Sequence, residues 1–103
     1  MKISHILLAT FLIPVLSMGQ EQEGLSALDQ KIADLEARLN QTLDTSPAAA
    51  ITMLELMDIY HKEGRAFGLV STGRRFINAQ PEHPKHKEVM LKLIDGFLIA
   101  ARN

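Results

Sequence analysis

The apolar residues that follow position 24 recur at steps of three and four, and no segment there alternates convincingly with the two-residue period of a strand. This pattern predicts an all-α fold of four helices. Ser26 and Ser46 have the residue type and position of N-caps, Pro47 suits a first helical position, and Gly64 suits the end of a helix. The predicted helices cover about 26–43, 47–63 and 66–79, and a fourth follows the chain break at residues 81–84 and continues to about 102.

The first predicted helix, within residues 25–44, carries its apolar residues as a heptad seam. Lys31 and Arg38 lie on one flank of the seam, and Asp29 and Glu36 lie on the other. Such a seam either associates with the same helix of a second chain or packs on the rest of its own domain, and the pattern leaves both open. The predicted oligomerisation residues are Leu25, Leu28, Ile32, Leu35 and Leu39.

The rest of the chain repeats itself at an offset of 37 residues. Residues 53–65 fall on residues 90–102 with five identities in thirteen pairs, and Tyr60 falls on Phe97. Such a match predicts a repeated helix-turn-helix unit over residues 46–103.

The stretch from about residue 50 to residue 84 resembles a tetratricopeptide repeat. Leu56, Tyr60, Gly64 and Pro81 have the spacing of that family's leucine, tyrosine, turn glycine and closing proline. Met57 departs from the pattern, because a small residue is usual there. The resemblance implies one and a half tetratricopeptide-like helical hairpins, preceded here by the heptad helix.

The last predicted helix carries an apolar stripe, and in a complete repeat a following helix would cover it. Leu91 and Ile99 lie away from this stripe, which consists of Met90, Leu93, Ile94, Phe97, Leu98 and Ala101. The stripe is either part of the core or a surface that binds another helix in a groove. The predicted partner-binding residues are Met57, Tyr60, Ile94, Phe97 and Leu98.

Residues 1–19 have the pattern of a secretory signal peptide, and residues 20–24 read as a polar linker. Lys2 supplies the positive start, an apolar run follows, and Ser17 and Gly19 are small residues before the expected cleavage site. An uncleaved membrane anchor is the alternative, but the apolar run is shorter than the roughly 20 residues that span a bilayer. We therefore expect an exported protein, periplasmic or secreted, with no membrane span after signal cleavage.

Composition and charge narrow the chemistry of the chain. It has no cysteine, which excludes disulfides and thiol catalysis, and its net charge of −1 does not suggest nucleic-acid binding. Residues 20–44 carry six acidic and two basic side chains, whereas residues 45–103 carry six acidic and eight basic ones.

His61, His83 and His86 do not form a convincing metal motif, so we expect no metal and no cofactor. Asp58 and Asp95 recur in the repeat and are expected to form surface or inter-helix hydrogen bonds. We expect no catalytic residue and no enzyme activity.

The function that these features predict is that of an exported adaptor, which binds a partner helix or peptide of another protein through a helical-hairpin face. The order of signal peptide, heptad helix and tetratricopeptide-like segment resembles, in a much shorter chain, the periplasmic coordinators associated with the Tol–Pal envelope system. The alternative is a homo-oligomeric structural protein assembled through the heptad helix and the open last helix. A small-ligand binder or accessory enzyme subunit is a third possibility and would require a polar-lined pocket.

Overall fold

The computed structural model describes residues 25–102, which form four helices and no strand. They are α1 (Ala27–Leu39), α2 (Pro47–Lys62), α3 (Ala66–Ala79) and α4 (His86–Arg102). The prediction of an all-α fold with four helices is confirmed. The predicted signal peptide and the linker, residues 1–24, lie outside the described residues.

Helix α1 begins after Ser26, whose hydroxyl oxygen accepts a hydrogen bond of 3.0 Å from the backbone N–H of Asp29. It ends at Leu39, four residues before the predicted end. The backbone N–H groups of Gln41 and Thr42 donate to carbonyls three residues back, which tightens the last turn and closes the helix. The chain divides into two units, residues 1–31 and 32–103, and α1 extends across that boundary.

Helix α2 has the ends that the sequence predicts. Ser46 accepts a hydrogen bond of 3.0 Å from the N–H of Ala49, and Pro47 occupies the first helical position. At the other end Gly64 has a φ of +66°, a left-handed conformation that glycine adopts without strain. The N–H of Arg65 donates to the carbonyl of Tyr60 at 2.9 Å, and the N–H of Gly64 donates to that of His61 at 3.2 Å. These two bonds form a Schellman motif, which ends α2 and turns the chain into α3.

Helix α3 packs against both α2 and α4, and glycines allow the close approach on both sides. A Cβ atom at Gly73 would lie 3.2 Å from a terminal carbon of Met57 on α2 and 3.2 Å from one of Leu93 on α4. At Gly96 of α4, a Cβ atom would lie 2.9 Å from Cγ2 of Val70. Both α2 and α4 therefore approach α3 closely at Gly73.

The core of residues 32–102 is apolar and is built mainly from α2, with contributions from α1, α3 and the first turn of α4. The largest fully buried side chains are Phe76, Met53, Leu56, Met57, Leu69 and Val89. His83, in the turn before α4, contacts the ring of Phe76 edge-on at a centroid distance of 5.1 Å. This aromatic contact packs the connection between α3 and α4, which includes residues 81–84, against the core.

Helix α4 buries a different face from the stripe that the sequence predicts. Its buried residues are Val89 and Gly96, and Ile99 is half-buried although it was placed away from the contact. Within the predicted stripe only Leu93 is partly covered, whereas Met90, Ile94, Phe97, Leu98 and Ala101 are exposed. The reason is Gly96: its missing side chain lets α3 approach α4 on the glycine side, and the larger apolar residues point away from that contact.

Candidate protein-binding surface

The α3–α4 pair has an apolar groove on its surface. The groove encloses about 420 Å³ and is lined by Ala66, Phe67, Val70, Phe97 and Ala100. Two of these residues are alanines, and the two phenylalanine rings are exposed, Phe67 by 87% and Phe97 by 52%. A groove lined by small and aromatic residues can receive an apolar side chain of a partner.

The outer side of α4 extends this apolar surface. Ile94 and Leu98 are each 52% exposed, and they lie one helical turn apart beside Phe97. We call the combined surface the α3–α4 face; it consists of Ala66, Phe67, Val70, Ile94, Phe97, Leu98 and Ala100. Contiguous apolar surface of this kind marks interaction sites in soluble proteins.

The structure separates the five predicted partner-binding residues into two groups. Ile94, Phe97 and Leu98 lie together on the α3–α4 face, but Met57 and Tyr60 are buried and do not belong to any exposed surface. The Tyr60 ring lies directly over Gly68, where a Cβ atom would be only 2.7 Å from it. Because α2 is apolar on most sides, its sequence pattern could not show which of these residues α3 covers.

The predicted heptad seam is also divided. Ile32, Leu35 and Leu39 are buried, Leu28 is half-buried, and Leu25 is 50% exposed. The last three seam residues are therefore already buried within one chain, in line with the packing alternative for this helix.

Tyr60 connects α2 to α1 by a polar contact at the edge of the core. Its hydroxyl donates a hydrogen bond to a carboxylate oxygen of Glu36. Burial of the ring and, after it, this bond to a carboxylate raise the pKa of the Tyr60 phenol far above its ordinary value. The phenol therefore stays protonated and acts as a donor, not as an acid.

A polar cluster joins the α1–α2 connection to α3. The Arg75 guanidinium donates to both carboxylate oxygens of Asp44, at 2.7 and 2.9 Å, and lowers the pKa of that carboxyl. The side-chain amide of Gln80 donates to the backbone carbonyls of Asp44 and Ser46 at 2.8 and 3.0 Å. A cavity of about 120 Å³ beside this cluster is lined by Glu36, Leu39, Asn40, Leu56, Ser71, Thr72 and Arg75. Because Arg75 and Asp44 are paired with each other, the cluster holds the α1–α2 connection against α3.

The repeat-equivalent aspartates have the inter-helix role that was expected of them. His61 of α2 lies 3.1 Å from Asp95 of α4, and Lys92 of α4 lies 3.9 Å from Asp58 of α2. No group of three or more potential metal-ligating His, Asp or Glu side chains occurs between residues 25 and 102.

The charged groups around the α3–α4 face are unequal in sign. Helix α3 has no acidic residue. Of the two acidic residues of α4, Glu88 lies in ion pairs with Lys85 and Lys92, and Asp95 forms a hydrogen bond of 3.1 Å with His61 of α2. By contrast Arg74, Lys87 and Arg102 form no ion pair within the part of the chain that the structure describes. Arg74 follows Val70 by one turn, Lys87 precedes Ile94 by two turns on the same side of α4, and Arg102 follows Leu98 by one turn. Cationic side chains therefore predominate beside this apolar face.

Sequence reasoning missed one residue of the surface, Phe67, and one buried residue beneath it, Gly96. Phe67 lies outside the buried side of α3, and that position was itself the signal, since an aromatic residue away from the buried side of a helix is exposed unless a partner covers it. Gly96 was missed because it has no apolar side chain to count.

None of the helices described is long and apolar enough to cross a membrane. No protein-family model, curated protein or solved structure matches this chain. The surface is therefore interpreted from its own geometry.

Proposed function

We propose that the protein is an exported adaptor, periplasmic or secreted, which binds a helix or peptide of another protein through the α3–α4 face. Its helices α2, α3 and α4 would form one and a half tetratricopeptide-like hairpins. The proposal assigns no reaction to the chain, and export is inferred from residues 1–19 alone.

One observation carries the proposal: repeat-equivalent residues are covered on α2 and uncovered on α4. Met53, Met57 and Tyr60 are 0–5% exposed, whereas their equivalents Met90, Ile94 and Phe97 are 44–52% exposed. The same apolar pattern is therefore buried by packing on α2 and left exposed on α4. Covering the exposed apolar residues of α4 would favour association, because each Å² of apolar surface removed from water contributes roughly 25 cal/mol.

The homo-oligomeric alternative would use the heptad helix and the open face of α4. It is weakened because three of the five seam residues are already buried within one chain. Both functions predict that the α3–α4 face is covered in the cell, so the experiment must identify what covers it.

Site-specific photocrosslinking in the producing organism makes this distinction. A benzoylphenylalanine at position 97 should give a covalent adduct, whereas one at position 51 should not. Ile51 is a matched control, because it is apolar and 66% exposed but lies on α2, outside the face. The double variant Ile94→Gln, Leu98→Gln should reduce the adduct at position 97 without a measurable loss of helix content, because both side chains are exposed.

The mass of the adduct decides between the two functions. An adduct with a different protein supports the adaptor. An adduct of two copies, together with a concentration-dependent dimer in light scattering, would move the structural alternative ahead. Equal crosslinking at positions 51 and 97, or none at 97, would contradict the proposed face.

A further inference from the structure

We infer that the occupant of the α3–α4 face is an acidic amphipathic helix of a partner protein. The inference rests on the proposed function and specifies the partner's chemistry. Two features carry it: the way the chain covers the equivalent residues of α2, and the charge around the open face.

The chain itself shows what covers this apolar pattern. On α2, Met57 meets Gly73 of α3, and the ring of Tyr60 lies over Gly68 of the same helix. A helix therefore covers the residues that correspond to Ile94 and Phe97. Since α4 repeats the spacing and the apolar character of α2, a helix with small residues on its contact side would fit α4 in the same manner.

The groove also favours a protein side chain over a small polar ligand. Each of its five lining residues has an apolar side chain, so no polar side chain lines the groove to orient a small molecule. An apolar anchor from the partner helix would enter between Phe67 and Phe97, and its neighbouring turns would lie along Ile94 and Leu98.

The sign of the partner's charge follows from the three free cations. Arg74, Lys87 and Arg102 border the face. Helix α3 has no acidic residue, and on α4 Glu88 is paired with Lys85 and Lys92 while Asp95 is hydrogen-bonded to His61. Glu or Asp residues on both sides of the partner's apolar stripe would pair with them, raising the association rate and excluding basic helices. A two-fold pair of identical faces would instead bring like charges together, which disfavours a second copy as the occupant.

Two synthetic helical peptides of about 18 residues, roughly five turns, test this inference. Both carry leucine at alternating steps of three and four; one has glutamate and the other lysine at the flanking positions. Binding of the labelled peptides to the purified full chain is followed by fluorescence anisotropy at low salt. We expect the glutamate peptide to bind about tenfold more tightly or better, and this difference to shrink as salt is added.

Charge variants locate the effect. Arg74→Gln combined with Arg102→Gln should remove most of the preference for the glutamate peptide. The control pair, Lys62→Gln with Lys85→Gln, removes the same charge from exposed side chains outside the face and should leave the preference intact. Circular dichroism of both double variants should show unchanged helix content.

Three results would overturn the inference: equal binding of the two peptides, a preference for the lysine peptide, or no binding of the glutamate peptide. Binding to phosphatidylglycerol vesicles but to neither peptide would also overturn it and would assign the face to an anionic membrane. Each of these failures is distinct from failure of the proposed function, because a crosslink from position 97 to a foreign protein would still support an adaptor whose partner is not acidic.

Discussion

Gly96 determines how closely α4 approaches α3. Its missing side chain admits Val70 and Leu69 to within 2.9 and 3.2 Å of the place where a Cβ atom would lie. Gly96→Leu should therefore lower the free energy of unfolding by about 1–3 kcal/mol through overpacking, although leucine is the better helix former by about 1 kcal/mol. The change is measured as a lower urea midpoint.

Ala101→Leu is the matched control for Gly96→Leu, because Ala101 is exposed on the same helix. Its free energy of unfolding should change by less than about 0.5 kcal/mol. If the two variants unfolded at the same urea concentration, α3 and α4 would not be in contact at Gly96.

Tyr60 should make the protein less stable in alkali. Its pKa is raised in the folded state, first by burial and then by the bond to Glu36, whereas an unfolded tyrosine titrates near about 10. Above that pH the unfolded chain releases a proton that the native state keeps. The free energy of unfolding therefore falls with rising pH, by at most about 1.4 kcal/mol per pH unit from this group.

The Tyr60→Phe variant isolates this effect from the titration of lysines, and its pH dependence should be shallower than that of the wild type. Tyr60 is the single tyrosine of the chain, so the ultraviolet absorbance of tyrosinate follows its ionisation directly. A tyrosinate midpoint near the ordinary value would show that the ring is not buried against Gly68 and Glu36.

At the level of elements, the Asp44–Arg75 pair holds the α1–α2 connection against α3. Asp44→Asn should cost about 1 kcal/mol or less at neutral pH, because both side chains are about a third exposed. The bond from Arg75 lowers the pKa of Asp44, so its contribution is present above the unfolded pKa of about 4 and is lost as the pH falls through the lowered value. Wild type and variant should converge in acid.

Glu82→Gln provides the control for Asp44→Asn. It removes the same charge from an exposed residue of the α3–α4 connection that forms no ion pair in the described structure. Thermal unfolding of both variants across the acid range should show a stability difference from the wild type for Asp44→Asn alone. A constant difference at every pH would mean that the ionisation of Asp44 does not contribute.

The sequence predicts helix ends most accurately where hydrogen bonds between neighbouring residues fix them. Ser46, Pro47 and Gly64 fix the ends of α2 through bonds to neighbouring residues, so the sequence was sufficient there. The end of α1 was misplaced because Leu43 continues the apolar spacing, yet it is 77% exposed outside the helix. No residue near Leu39 has the strong capping signal that Gly64 gives to α2.

The direction in which each helix face points could not be predicted from apolar spacing. Met57 and Phe97 have the same character in the sequence, but one is fully buried and the other half exposed. Their difference depends on where glycines permit close approach, at Gly73 and Gly96. Tertiary contact between helices decides this, and a periodic pattern does not contain it.

At the scale of the whole molecule, the repeated apolar pattern is buried on α2 but exposed on α4, so one part is packed and the other is open. Helix α3 contacts α2 and α4, and its residues Leu69 and Phe76 are fully buried. Helix α4 is packed on one side and apolar on the other. Affinity for a partner and the stability of the chain therefore depend on different residues, so variants of Ile94 and Leu98 can change binding without unfolding the core.

This division also determines how the protein responds to oxidants. Met53 and Met57 are fully buried and therefore shielded from oxidants, whereas Met90, the repeat equivalent of Met53, is 44% exposed. Methionine sulfoxide is polar, so oxidation of Met90 would place a polar group beside the exposed apolar residues of α4. A bound helix over α4 would shield Met90 in turn. The extent of sulfoxide at this one methionine thus records whether the surface was occupied when the oxidant arrived.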